Sequence, residues 1–146
     1  MTRTVTSLSA LILSIVLLVS GNAFLMTLLG VRLSIESVSA DIIGWILVCY
    51  SIGFVLGTLY VNRIISRVGH IRTFAAFAAM AAVCALLYPM AVSEPLWALL
   101  RVLSGFSAAS VLVVIESWFS SRATNANRGT LFAVYQIVFY SSVAGG

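Results

Sequence analysis

Two charged residues lie within one long apolar run, and their chemistry is the hardest in this chain to explain as packing. Arg101 and Glu116 stand fifteen positions apart within the segment 96–120. A charged side chain inside a membrane-length helix costs a few kcal/mol, so it normally faces a partner, a cavity or water. On one helix the two residues lie about 60° apart in projection and about 22 Å apart along the axis. They share a broad face but cannot pair with each other, so each requires its own partner.

Arg101 has two possible environments. Its guanidinium either lines an internal cavity, or its long side chain extends along the helix so that the charge reaches the outer headgroups. A guanidinium stays charged at any accessible pH, so burial without a partner is expensive. We expect Arg101 to point into the bundle, toward Asn22 and Gln136 on other apolar segments.

The segment Asn62–Arg72 is the most basic stretch of the chain and lies between two apolar runs. It contains three of the eight arginines and the only histidine. A short basic segment between two membrane-length runs is typical of the cytoplasmic side. We predict a loop here, and we expect Glu116 either to approach Arg63 or Arg67 or to be solvated at the same interface.

Other polar side chains interrupt the apolar segments. Asn22 and Gln136 carry amides, which are costly to place in lipid without a hydrogen-bond partner. Tyr50 and Tyr135 carry hydroxyl groups in the same kind of surroundings. These four residues are expected to face another helix or a hydrated cavity.

Composition restricts the class of protein that positions these residues. The 146 residues are 62% hydrophobic and 8% charged, whereas soluble domains carry about 25% charge. Such a chain requires the bilayer as its solvent, which argues against a soluble enzyme and against nucleic-acid binding. Cys49 and Cys84 both fall in apolar runs and are interpreted as small buried hydrophobes. No metal, cofactor or enzymatic site is predicted.

Hydropathy predicts an all-α, polytopic transmembrane helix bundle with four complete spans and a partial fifth. A bilayer needs about 20 apolar residues for each helical span. The first run continues past Leu29, longer than a secretory signal core, so we interpret it as a retained span. Gly53 and Gly57 recur on one helix face with Cys49, a pattern that favours close helix contact. The predicted spans are 8–29, 42–61, 73–92, 96–120 and 131–146.

Arginine asymmetry predicts the orientation. Six arginines (Arg3, Arg63, Arg67, Arg72, Arg122 and Arg128) lie on one side of the predicted spans, and Arg32 lies alone on the other. The positive-inside rule therefore places the N-terminus and the basic segment in the cytoplasm.

Several motifs carry a resemblance to a known family. The run Arg101–Ala109 resembles the fourth-helix motif of the major facilitator superfamily, an arginine followed four and eight residues later by small residues. The run Ser66–Arg72 resembles the second half of its signature loop between helices two and three. Within the superfamily, the chain is similar to the YcaD-like branch at Gly57-Thr-Leu, Arg67–Arg72, Glu116-Ser-Trp118 and Asn127-Arg-Gly129.

The resemblance implies a secondary transporter with twelve helices in two six-helix halves, of which this chain is part of the first. It implies alternating access around a midplane site, proton coupling, a bacterial inner membrane location and a small-molecule substrate. The missing C-terminal half, the lipid bilayer and possible protons are then the expected partners. Arg101, Asn22, Tyr50, Tyr135 and Gln136 would serve the substrate or proton pathway. Arg63, Arg67, Gly69, His70, Arg72 and Glu116 would form the gating loop and its charge cluster.

Two departures from this family pattern keep alternatives open. The signature loop normally carries an aspartate where this chain has Ser66, so Glu116 would have to supply the carboxylate. The chain is also much shorter than twelve helices. A small non-transporting membrane scaffold or oligomeric subunit is therefore the main alternative. A minimal four-span transporter that dimerises is less favoured, because the first three spans lack an acid.

Overall fold

The long apolar runs fold as helices because a chain in lipid has to satisfy its backbone hydrogen bonds within each segment. The computed structural model of the protein describes residues 2–90, 93–122 and 128–145. Its helices, in chain order, are α1 (Thr2–Ile35), α2 (Ala40–Val68), α3 (His70–Leu87), α4 (Glu94–Arg122) and α5 (Arg128–Gly145). The predicted all-α fold is confirmed for the described residues, which contain no strand.

Four segments of the described residues are long and apolar enough to cross a membrane. They are Ile12–Ile35, Ala40–Val68, His70–Leu87 and Glu94–Ser121. Large apolar side chains cover the outside of these helices, with Leu59, Ile71 and Leu86 each more than 60% exposed. So much exposed apolar surface is normal for a protein surrounded by lipid and abnormal for one surrounded by water.

The basic segment is not the loop that the sequence predicts. Helix α2 continues to Val68 and α3 begins at His70, so Gly69 is the one non-helical residue between Asn62 and Arg72. The polar residues extend both helices beyond their apolar parts, because hydropathy reports the membrane boundary and not the last helical hydrogen bond.

Gly69 makes the sharp reversal between α2 and α3. Its φ of 90° lies in the region that favours glycine. Its amide donates to the Ile65 carbonyl at 2.8 Å, and the Thr73 hydroxyl donates to the Gly69 carbonyl at 2.7 Å. The backbone at this turn is therefore hydrogen-bonded on both sides, which fixes the direction in which α3 leaves α2.

The described chain divides into two compact units. One contains α1 as far as Leu29 together with the chain from Phe119 onwards, and the other contains the residues from Gly30 to Trp118. The second unit holds α2, α3 and most of α4. In the spanning segment of α4, 61% of the residues in an 18-residue apolar window are buried, against 17% or less in the other three segments. Among the described residues, α4 therefore carries more buried side chains than any other helix.

Glycines on α2 and α4 let these two helices approach closely, as the small-residue pattern predicts. Gly53 lies against the Val102 backbone, and Gly105 lies against the Tyr50 carbonyl. A Cβ added at Gly57 would stand 2.6 Å from the Phe106 carbonyl oxygen. Nothing larger than hydrogen fits at these positions, so the three glycines determine how α2 packs on α4.

A small apolar core joins α2 and α4 nearer to Gly69. Its members are Val61, Ile65 and Val114, with Phe74, Phe77 and Val113 packed around them. The ring of Phe77 lies 5.4 Å from that of Phe106, which connects α3 to α4. Both cysteines are free; Cys49 is half-buried and Cys84 is buried, in agreement with their interpretation as packing residues.

Candidate functional site

Arg101 lies two turns into α4 and is completely shielded, with 0% of its surface exposed. Its guanidinium carbon stands 5.9 Å from the ring centre of Tyr50 on α2 and 5.8 Å from that of Tyr88, just after α3. The guanidinium is therefore enclosed by other side chains; that it points toward Asn22 and Gln136 stays a prediction. Gly105, one turn after Arg101 on α4, lies directly against the Tyr50 backbone, so α2 and α4 are close together where the Tyr50 ring meets the guanidinium.

Several buried polar atoms at and next to Arg101 lack a hydrogen-bond partner among the described residues. Among the described residues none pairs with its Nε, Nη1 or Nη2, with the Tyr88 hydroxyl or with the Ser104 hydroxyl. Ser104 stands one turn after Arg101 on α4 and is buried. Buried polar groups are nearly always satisfied in native proteins, so a cluster of this kind marks a place where another molecule or segment belongs.

Aromatic residues form the wall of this site. The Trp97 ring packs edge-on against the Tyr88 ring, with 6.2 Å between the two ring centres. Both Tyr88 and Trp97 are buried. The sequence does not predict either of them as a site residue, because aromatic residues near a span end are commonly interfacial anchors. The sequence feature that could have indicated them is that Tyr88 and Trp97 stand on either side of the connection between α3 and α4.

A second cluster lies where α2 and α3 meet. The His70 Nε2 and the Ser117 Oγ are 3.0 Å apart, a hydrogen bond that ties the start of α3 to α4. Next to it is a recess of about 360 Å³ lined by Val68, Gly69, His70, Ile71, Arg72 and Trp118. Of the predicted gating residues, Gly69, His70 and Arg72 are thus brought together.

The remaining residues of the predicted charge cluster lie on the same pair of helices. Arg63 and Arg67 are exposed near the end of α2, and the Arg63 guanidinium carbon is 5.8 Å from the Tyr60 ring centre. Glu116 is exposed on α4, directly before Ser117. Its approach to Arg63 or Arg67 stays a prediction.

Three predicted pathway residues belong to the other unit and are described there. Asn22 is half-buried on α1, and Gln136 is exposed on α5. Tyr135 is buried, with its ring 6.3 Å from that of Phe119 and 6.2 Å from that of Phe139. That these residues meet Arg101 stays a prediction. Of the five pathway residues, the described contacts bring Tyr50 and Arg101 together.

The fold and the site define a multi-pass helical membrane protein with a buried cation. The family model described as Major Facilitator Superfamily matches residues 4–146. This chain therefore belongs to the major facilitator superfamily, and the resemblance drawn from its motifs is confirmed. No solved structure matches the chain.

Curated relatives narrow the likeness to one branch. The chain is 34% identical over 132 residues to YcaD, an uncharacterized MFS-type transporter from Escherichia coli O45:K1 (strain S88). It is 30% identical over 130 residues to the uncharacterized MFS-type transporter Ent638_1421 from Enterobacter sp. (strain 638). Each alignment covers 89% of this chain and 34% of the relative. The chain thus spans about a third of the length of the curated relatives that it matches, and those relatives are named as transporters, not as enzymes.

Proposed function

We propose that the protein is the N-terminal part of a secondary active transporter that moves a small solute across the bacterial inner membrane. The observation that carries this proposal is the fully buried Arg101 on a membrane-length helix of a superfamily member. Placing a charged side chain inside a membrane helix costs free energy. In a membrane scaffold leucine would pack as well at this position without that cost. Family membership also gives no support to the scaffold alternative.

Alternating access is the proposed mechanism, with two halves of the full-length protein rocking around a central site. Arg101 and Tyr50 would line that site from α4 and α2. Asn22, Tyr135 and Gln136, which belong to the other unit, are also proposed as pathway residues. A fixed positive charge can hold an anionic group or lower the pKa of a nearby acid, and either effect would allow coupling to protons.

The junction of α2 and α3 is the proposed gate. Its geometry supports such a role because Gly69 fixes a sharp reversal and the His70–Ser117 hydrogen bond ties the reversal to α4. Arg63, Arg67, Arg72 and Glu116 would then exchange ionic partners as the halves move. Since Ser66 replaces the usual acid, Glu116 is the proposed carboxylate of this gate.

Transport can be tested in proteoliposomes that contain the full-length protein and an entrapped pH-sensitive dye. With an imposed pH gradient, we expect at least one class of small solute to accelerate dissipation of the gradient. The same solute should exchange across the membrane when its isotope-labelled form is followed. Folded protein that moves neither protons nor solutes from a chemically broad panel would contradict the proposal.

The proposed orientation gives a separate prediction. In a background with Cys49 and Cys84 replaced, Glu36→Cys and Ser66→Cys should react with a membrane-impermeant maleimide from opposite sides. Both positions are exposed in the structure, so access to the side chain does not limit labelling. With intact cells we expect labelling at position 36 only, because the arginine-rich side is retained in the cytoplasm. Labelling of both positions in intact cells would rule out this orientation.

A further inference from the structure

We infer that Arg101, Tyr88 and Ser104 form a binding site for one carboxylate group, so that the transported solute is an organic monoanion with an apolar or aromatic body. This assignment of the substrate class rests on the proposed transport function. The site lies entirely within the unit formed by Gly30 to Trp118. It is built from α4 and from the residue that follows α3.

The site offers more hydrogen-bond donors than acceptors. The Arg101 guanidinium can only donate, and its Nε, Nη1 and Nη2 are all buried without a partner among the described residues. The hydroxyls of Tyr88 and Ser104 are unpaired in the same way, and their residues are 3% and 6% exposed. Buried donors left unsatisfied are costly, so their native partner is expected to be a strong acceptor.

The charge of the site has the same implication. The four acidic residues of the chain, Glu36, Asp41, Glu94 and Glu116, are all exposed, whereas Arg101 is not. The Tyr50 and Tyr88 rings stabilise the cation through their faces. Ring contacts do not supply hydrogen-bond acceptors for the guanidinium N–H groups. One uncompensated positive charge is matched by one negative charge, which favours a monoanion.

Geometry distinguishes a carboxylate from a spherical ion. The planar guanidinium presents its N–H groups as a fork that fits the two oxygens of a carboxylate. The hydroxyls of Tyr88 and Ser104 could donate to the remaining lone pairs. The rings of Tyr50 and Tyr88 lie next to the guanidinium and Trp97 packs on Tyr88, so the surroundings of these donors are aromatic and suit an apolar or aromatic remainder of the solute.

Binding can be measured by isothermal titration calorimetry with the full-length protein in nanodiscs. The probes are two matched pairs, benzoate with benzamide and propionate with propionamide, which differ in charge but hardly in shape. We expect at least one carboxylate to bind about tenfold or more tightly than its amide, the effect of a charge-assisted hydrogen bond of about 1.5 kcal/mol. Arg101→Gln should remove this discrimination. Arg32→Gln should keep it, since Arg32 also lies over an aromatic ring but is only half-buried and forms no part of the site.

Three outcomes would overturn the inference. The first is equal affinity for acid and amide in both pairs, a result that does not depend on how any variant folds. The second is displacement of the carboxylate by an equal concentration of chloride, which would indicate an inorganic-anion site. The third is solute flux in proteoliposomes that excludes every carboxylate, in which case the transport function stands and this substrate class fails. Conversely, discriminating binding without any flux would support the site and contradict the transport function.

Discussion

Replacement of Arg101 by alanine will abolish solute flux through the full-length transporter while leaving its membrane insertion intact. The side chain is completely buried, and its guanidinium carbon stands within 6 Å of the centres of the Tyr50 and Tyr88 rings. Truncation of a buried charged partner costs about 2–5 kcal/mol, which corresponds to at least about a thirtyfold loss of flux. Insertion should not suffer, because removing a charge from an apolar helix lowers the cost of placing that helix in lipid.

Lysine at the same position is the informative companion variant. Arg101→Lys keeps the positive charge but has no planar fork of donors, so we expect it to recover little flux. Initial rates of labelled-solute uptake, normalised to protein in the membrane fraction, provide the measurement. If Arg101→Leu transports at the wild-type rate, Arg101 has no part in the pathway and only the family assignment remains.

Substitution of Gly53 or Gly105 by alanine will destabilise the packing of α2 on α4. A Cβ at Gly53 would overlap the Val102 carbonyl, and one at Gly105 would overlap the Tyr50 carbonyl. These obstacles are backbone atoms, which cannot turn away as the end of a side chain can. Overpacking of a well-packed interior costs about 1–3 kcal/mol, and we expect each variant to lie at or above the upper end of that range.

The measurement is the thermal unfolding midpoint in detergent, followed by the yield of monodisperse protein. Gly44→Ala is the matched control, since Gly44 lies on the same helix α2 but has no atom within 4 Å of an added Cβ. Its midpoint should equal or slightly exceed that of the wild type, because alanine is the better helix former. A Gly53→Ala midpoint as high as that of Gly44→Ala would show that α2 and α4 are not in close contact.

The glycine contact and the arginine site depend on each other. Gly105 lies one turn after Arg101 on α4, and its neighbour across the interface is the Tyr50 backbone. Separation of the helices by the width of a methyl group would therefore also move the Tyr50 ring away from the guanidinium. A Gly105→Ala variant that still folds should therefore be less stable than the wild type. It should also no longer bind a carboxylate more tightly than the matching amide.

Local features of the sequence determined the fold class and the character of the site. Apolar runs of membrane length predict helices because lipid leaves the backbone no other way to satisfy its hydrogen bonds. The spacing of Gly53 and Gly57 predicts a face for close helix contact, and the structure has that contact. Arg101 is conspicuous because a charge stands out against an apolar background. Each of these features is a property of one segment, so it can be predicted from that segment without knowledge of the other segments.

Only the tertiary structure decided what surrounds the arginine and where the helices end. Tyr50 and Tyr88 are 38 positions apart in sequence and meet at Arg101 because α2, α3 and α4 pack together, which no local pattern reports. The segment Asn62–Arg72 is helical on both sides of Gly69, contrary to its prediction as a loop. Hydropathy falls where a helix leaves the apolar part of the bilayer, but backbone hydrogen bonds continue until a residue such as Gly69 turns the chain.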